Sequence, residues 1–386
     1  MSGFVKTTTG GNRMHDGKWA ATLQQQAAAH PALAPQDAIK LCHQAAFGAA
    51  HLLAEETQAR AALQQEFSRV DAAGEAALEP VSSRYCRCNL GAWKRLGLPP
   101  DWLSGMFRHT VQQPPDADAG ARLAGYLDTV DALARAGALP FDAAAWRAFR
   151  RAYEAQGMGA VRHSDGYRLH ERPAYRIVDA RYAALLPLFS LLAGLPSRPG
   201  ARIVALDGRA ASGKTTAAAL LAAALGGGVI HMDDFFLPAA LRTPGRFAQP
   251  GGNVHHERFA EEVLPRLSDP AAFSYRRFDC GTMDYGAPRE VAPGGWRIVE
   301  GSYSCHPTLG PYMDVRVFCD VPPETQRERL LARNGPAQAA VFTARWIPLE
   351  ERYFAAYHIR EAAQLVLETG LDAPDAAHLP PRSGAD

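Results

Sequence analysis

The stretch ALDGRAASGKTTAAALLAAAL, residues 205–225, decides the fold. An apolar run leads into a glycine-punctuated loop, and the loop opens a segment of alanine and leucine, residues with strong helix preference. Gly208, Gly213, Lys214 and Thr215 stand at the fixed positions of the pattern G-x-x-x-x-G-K-[ST]. Glycines let consecutive backbone N–H groups curl around a phosphate, and the amino end of the helix adds partial positive charge. The pattern therefore predicts a nucleotide-phosphate cradle made of Gly208, Ala210, Ala211, Ser212, Gly213 and Thr216. Lys214 would reach the β- and γ-phosphates, and the Thr215 hydroxyl would bind Mg²⁺.

Beyond this stretch, apolar runs alternate with helical ones. Strands are predicted at 201–207, 228–233, 296–301, 315–321 and 364–369, and helices at 213–225, 256–267 and 323–333. Such alternation argues for an α/β, doubly wound parallel sheet covered on both faces. Pro196, Pro199 and Gly200 form a linker ahead of the first strand, so the boundary is placed there, with a P-loop domain over 196–370. Residues 15–195 read as a mainly α-helical accessory domain, with apolar residues at helical spacing from Pro35 and Asp37 placed to cap one start. Residues 1–14 and 371–386 read as disordered tails, and Met14 is a second candidate initiator.

The composition excludes several classes. The 386 residues carry a net charge of +1 and 21% charged side chains. Residues 1–195 hold 21 Lys+Arg against 18 Asp+Glu, and the remainder 20 against 22, so neither part has the basic footprint of a nucleic-acid binder. No apolar run approaches the ~18 residues of a membrane span, and the stretch MSGFVKTTTGGNRMHDGKW lacks the apolar core expected of a secretory leader. Six scattered cysteines, with only Cys86 and Cys88 close together, read as reduced thiols of a cytoplasmic protein.

Acidic residues at strand ends carry the rest. In a doubly wound sheet the carboxyl ends of strands line the ligand crevice. Glu300 ends WRIVEG and is placed to hold the metal ion. VIHMDDFF puts Asp233 and Asp234 at another strand end, pointing to opposite sides while the strand stays extended. No N-K-x-D guanine-specificity motif follows, which argues against a GTPase.

ALDGRAASGKTT, VIHMDDFF, IVEGSY and VFCDVPPETQRERLLARNG together resemble the uridine kinase/phosphoribulokinase group of P-loop kinases over about residues 200–370. The resemblance implies a five-stranded parallel sheet, ATP·Mg²⁺ as donor and a small hydroxylated acceptor such as a nucleoside. It puts the catalytic base at Asp233 beside Lys214, metal ligation at Thr215 and Glu300, and nucleotide contacts at Arg329 and Arg333. His255 stands where the family has a sugar-gripping Asp, and Tyr275 and Asp279 are the nearest counterparts of its acceptor contacts. Asp234 then bonds local backbone or a basic neighbour.

IKLCHQAAFGAAHLL, RYCRCNL and RHSDGYRLHERPAYRIV resemble the better-marked segments of a helical module that accompanies such kinases. His43 and His51 sit eight apart, too far for one metal ion on a helix. HSDGYRLHERPAYR gathers His163, Tyr167, His170, Tyr175 and Arg176, read either as a polar domain contact or as an acceptor or regulatory site. The expected partner is a small-molecule phosphate acceptor, with neither nucleic acid nor membrane. A polynucleotide 5′-hydroxyl kinase and a non-catalytic ATP-binding switch remain as alternatives.

Overall fold

The computed structural model describes residues 11–49 and 56–368, of which 11–18 and 56 are described by backbone alone. Contacts divide the chain into Met1–Ala183 and Ala184–Asp386, so the helix Leu186–Ala193 groups with the second unit, ahead of the Pro/Gly linker. Among the described residues no helix is long and apolar enough to cross a membrane.

The second unit is built on five parallel strands: β1 Arg202–Gly208, β2 Gly227–His231, β3 Trp296–Glu300, β4 Val315–Asp320 and β5 Leu365–Glu368. Their order is β2-β3-β1-β4-β5, with every neighbouring pair parallel. β1 lies at the centre, and all of its residues after Arg202 are buried, as expected for a strand covered on both faces. Helix α1, Lys214–Leu225, packs over β2, β3 and β1 through Ala217, Leu220, Leu221 and Ala224. Ile203, Ile230, Val299, Phe318 and Phe259 share one buried cluster, and each such side chain contributes about 1.5–3 kcal/mol.

Three predicted elements differ in extent. The second strand stops at His231, and Met232–Phe235 forms a 3₁₀ turn, so the extended alternation expected of Asp233 and Asp234 is not available. Helix α2, His256–Glu262, ends where Val263 and Pro265 break the ladder, short of the expected 267. Helix α3, Pro323–Val341, runs past the expected 333 by way of a kink at Gly335, whose φ is 75°. A further helix, α4 Ile347–Tyr357, precedes β5.

The first unit is helical with one antiparallel sheet. The strands Leu78–Pro80, Tyr85–Asn89 and Tyr175–Asp179 pair with Tyr85–Asn89 in the middle. Helices Pro35–Phe47, Ala119–Arg135 and Ala143–Ala155 enclose Ile39, Leu127, Val130 and Trp146. Asp142 caps the last of these, accepting from Ala144 N at 2.8 Å and Ala145 N at 2.7 Å. Asp37 does not cap a helix start. Ala34 occupies that position, and Asp37 lies in the first turn, accepting from Ala34 N at 3.2 Å. His51 and the two tails lie outside the described residues, except that the first helix begins at Gly11.

Candidate functional site

The carboxyl ends of β1, β3 and β2 lie side by side because the three strands are parallel neighbours. The loop leaves β1 at Gly208, where φ is +130° and a Cβ would meet the Cys319 carbonyl oxygen of β4 at 2.1 Å. Only glycine fits that approach. Ala211 has φ +57° and Gly213 φ +89° before α1 begins. A left-handed alanine stores about 1–2 kcal/mol, a cost that tends to persist at functional sites.

Lys214 is buried and folds back over this loop. Its Nζ donates to Gly208 O at 2.8 Å and Arg209 O at 2.7 Å, with Ser302 Oγ at 3.4 Å. Thr215 Oγ1 lies 3.2 Å from both carboxylate oxygens of Glu300. His231 Nδ1, at the end of β2, stands 2.5 Å from Glu300 Oε1. The structure thus brings Lys214, Thr215 and Glu300 together with the loop residues. From α3, Arg329 Nη1 donates to Ala211 O at 3.2 Å. Arg333 is exposed, and its Nε donates to Asn334 Oδ1 at 3.0 Å.

Three further residues brace the loop. Asp207 has no exposed surface and accepts from Gly208 N at 2.7 Å, Tyr303 N at 3.1 Å, Cys305 N at 2.8 Å and Tyr353 Oη at 2.8 Å. Burial pushes its carboxyl up, although the bonds from Cys305, Tyr353 and Gly208 and the charge of Lys214 oppose the shift. Glu350 of α4 accepts from Ala210 N at 2.9 Å. Ser302 Oγ lies 2.7 Å from Glu350 Oε1 and 2.9 Å from Gly208 O. One hydroxyl proton cannot serve two acceptors. Burial pushes Glu350 up as well, so its protonated form can donate to Ser302 while Ser302 donates to Gly208 O. Sequence reasoning passed over Asp207, Ser302 and Glu350. The one available signal was an acid closing an apolar strand directly before the first glycine.

On the other flank the two adjacent acids separate. Asp233 is exposed, within electrostatic reach of Tyr303 and Cys280. Asp234 is buried, 2.6 Å from Arg289 Nε, and accepts from Tyr275 Oη at 2.8 Å. Tyr275 is itself buried, and its Oη accepts from His231 N at 3.1 Å. His255 precedes α2 and takes a 3.2 Å bond at Nδ1 from Arg258 N. Asp279 accepts from Gly281 N at 2.8 Å. The side chains of His255 and Asp279 thus bond near neighbours in the chain, whereas Tyr275 reaches across to Asp234 and His231.

No family model matches the chain, and no curated protein matches it. Solved structures that do match include one described as a possible uridine kinase from Bacillus stearothermophilus, 20% identical, covering 48% of this chain and 98% of its own, with a TM-score of 0.39. Another is a candidate fructose transport system kinase from Silicibacter sp. TM1040, 27% identical, covering 48% and 98%, with a TM-score of 0.38. TT1252 from Thermus thermophilus is 22% identical over 44% of this chain and 90% of its own, with a TM-score of 0.27. At these TM-scores no role is carried from any of them to this chain.

Proposed function

We propose that the second unit is an ATP- and Mg²⁺-dependent phosphotransferase, a P-loop kinase acting on a hydroxyl of a small metabolite, with nucleosides such as uridine among the candidates. The observation that carries this reading is the meeting of Lys214, Thr215 and Glu300 where the glycine loop turns from β1 into α1. First-turn amides of a helix have no carbonyl partner within it, so those of α1 suit phosphate oxygens, and the Lys214 ammonium adds a full charge beside them. The Thr215 hydroxyl and Glu300 carboxylate are hard oxygen donors and would hold Mg²⁺, which neutralises phosphate charge when bound. Among the described residues no three His, Cys, Asp or Glu side chains gather as a metal cage. That suits an ion held by one or two protein ligands and completed by phosphate and water.

The exposed Asp233 carboxylate would take the proton of the acceptor hydroxyl, a task for which Asp234, paired with Arg289, is unsuited. Arg329 would steady nucleotide charge at the loop, with Arg333 a turn further along α3. Acceptor contacts fall to His255 and Asp279, while Tyr275 acts through the position of Asp234.

The test is a screen of nucleosides, sugars and vitamin precursors for acceptor-dependent ADP release, repeated with Asp233→Asn. That variant should bind ATP nearly as before and lose about 10²–10⁴-fold in turnover. Unchanged turnover would remove Asp233 from the role of base. ATP hydrolysis indifferent to every acceptor would favour an ATP-binding switch. Salt-sensitive binding of RNA or DNA would favour a polynucleotide 5′-hydroxyl kinase.

A further inference from the structure

Glu300, the acid of the proposed metal site, is 3% exposed, and Thr215 and His231 both reach its carboxylate. Thr215 does so from the first turn of α1, 3.2 Å from both oxygens. His231 does so from the end of β2, with Nδ1 2.5 Å from Oε1. Glu300 and His231 are partners in the register of adjacent parallel strands, so both side chains leave the sheet on the same side. The His231 backbone is anchored as well. Its N–H donates to Tyr275 Oη at 3.1 Å, and Tyr275 donates to Asp234 Oδ2 at 2.8 Å. Arg289 Nε closes this chain 2.6 Å from the same oxygen. All of these residues lie within Ala184–Asp386.

The donors at the two acids differ in kind. Asp234 pairs with a guanidinium, which is permanently charged and cancels the carboxylate. Glu300 meets a hydroxyl and an imidazole, each able to donate while uncharged. Such donors offset the cost of burying the acid and leave its charge to attract a cation. They do not act alike on its orientation. Thr215 is equidistant from the two oxygens and favours neither, whereas the short bond from His231 falls on Oε1. An ionised carboxylate only accepts, so Nδ1 carries the proton in this pair. Outer partners of this sort orient metal ligands and are worth about 10–100-fold in metal affinity.

We propose that His231 is a positioning residue for the metal ligand Glu300, a role that rests on the phosphotransferase reading. Its Nδ1–H fixes the Glu300 carboxylate beside the Thr215 hydroxyl, so that both oxygen donors stand ready for one Mg²⁺ before the ion arrives. The Tyr275 bond at the His231 N–H holds the backbone of the same residue, which is thereby fixed at both ends. Asp233 follows two positions later in the turn that ends β2, so the base and the guide of the metal ligand share one short segment. Loss of the imidazole should therefore act on the metal-dependent part of nucleotide binding and spare the metal-independent part.

Calorimetric titration of the full chain with a non-hydrolysable ATP analogue, once in saturating Mg²⁺ and once in EDTA, separates those parts. His231→Ala should weaken binding about tenfold in Mg²⁺ and change it less than about twofold in EDTA. His231→Phe should do the same while keeping a ring in place, and it decides the matter should the alanine variant fail to fold. His231→Asn keeps an N–H as far along the side chain as Nδ1, and should stay within about threefold of the unaltered protein. Equal weakening in EDTA and Mg²⁺ would overturn the role, as would full Mg²⁺-dependent binding in the alanine and phenylalanine variants. An asparagine variant as weak as the phenylalanine one would also overturn it, because the hydrogen bond would not be what acts. Glu300→Gln isolates the underlying reading. If it loses Mg²⁺-dependent binding while the two His231 variants keep it, only the role of His231 falls. If it leaves binding untouched, or if Mg²⁺ makes no difference to the unaltered protein, the phosphotransferase reading falls as well.

Discussion

Asp37 in the first unit and Asp207 in the second are both carboxylates with no exposed surface. Each accepts four hydrogen bonds, two per oxygen. Their proton affinities nevertheless move in opposite directions. At Asp37 burial works against the ionised form, but the bonds from His163, Ser164 and Ala34 outweigh it and hold the pKa below 3.8. At Asp207 burial prevails and the pKa rises above 3.8. Depth explains the contrast, since Asp37 lies under half-buried Ala34 and Ser164 in a helix's first turn, where the dipole favours an anion. Asp207 closes the central strand among Tyr303, Tyr353 and Lys214. Counting hydrogen bonds does not predict the direction of the pKa shift; the desolvation beneath them does.

The contrast is most easily broken by truncation. Asp207→Ala orphans three backbone amides and a buried phenol, so it should cost the second unit about 4 kcal/mol. Asp37→Ala should cost the first unit only about 2–3 kcal/mol, because donors near the surface regain water. Denaturant titration followed by amide exchange reads each unit separately. Equal losses would show that depth is not what distinguishes the two acids.

Glu350 sharpens the same point. If the acid is protonated and donates to Ser302, an amide replaces it well, accepting from Ala210 N and donating to Ser302 Oγ. Glu350→Gln should stay within about 0.5 kcal/mol of the unaltered protein, and Glu350→Ala should lose about 2 kcal/mol by stranding the Ala210 amide. A glutamine variant as damaging as the alanine would mean that Glu350 is ionised in the folded state.

The five strands were legible in the sequence because parallel strands buried on both faces read as unbroken apolar runs. The loop was legible because its glycines are forced by backbone geometry, as the Gly208–Cys319 approach demonstrates. Element ends were harder to read. The turn at Met232–Phe235 and the extension of α3 through Gly335 depend on tertiary contacts that override local preference. Asp207, Ser302 and Glu350 were invisible as a group, since Glu350 meets Ala210 across 140 residues of chain. In the first unit Gln44, Arg87, His163 and Tyr175 stood in the quoted segments, but no periodicity tells that the Arg87 guanidinium lies over the Tyr175 ring or that His163 meets Asp37.

The dependence of stability on pH tests the comparison most directly. A carboxyl group whose folded pKa is lowered contributes stability that is present above its unfolded value and lost as pH falls through the folded one. Asp37 is of this kind, so the cost of Asp37→Asn should be greatest near neutral pH and shrink on acidification below 3.8. A group whose folded pKa is raised contributes stability that is complete below its unfolded value and lost as pH rises through the folded one. Asp207 is of this kind, so the cost of Asp207→Asn should be greatest in acid and shrink as pH rises above 3.8. Comparing each variant with the unaltered protein at the same pH cancels the other titrating groups, including His256, whose pKa burial lowers to about 3. Each slope should approach about 1.4 kcal/mol per pH unit inside its window, read from unfolding midpoints at several pH values between 3 and 7. Opposite slopes follow from a difference in depth, whereas slopes of one sign would mean that the two pKa values are shifted the same way and that their common hydrogen-bond count governs them after all.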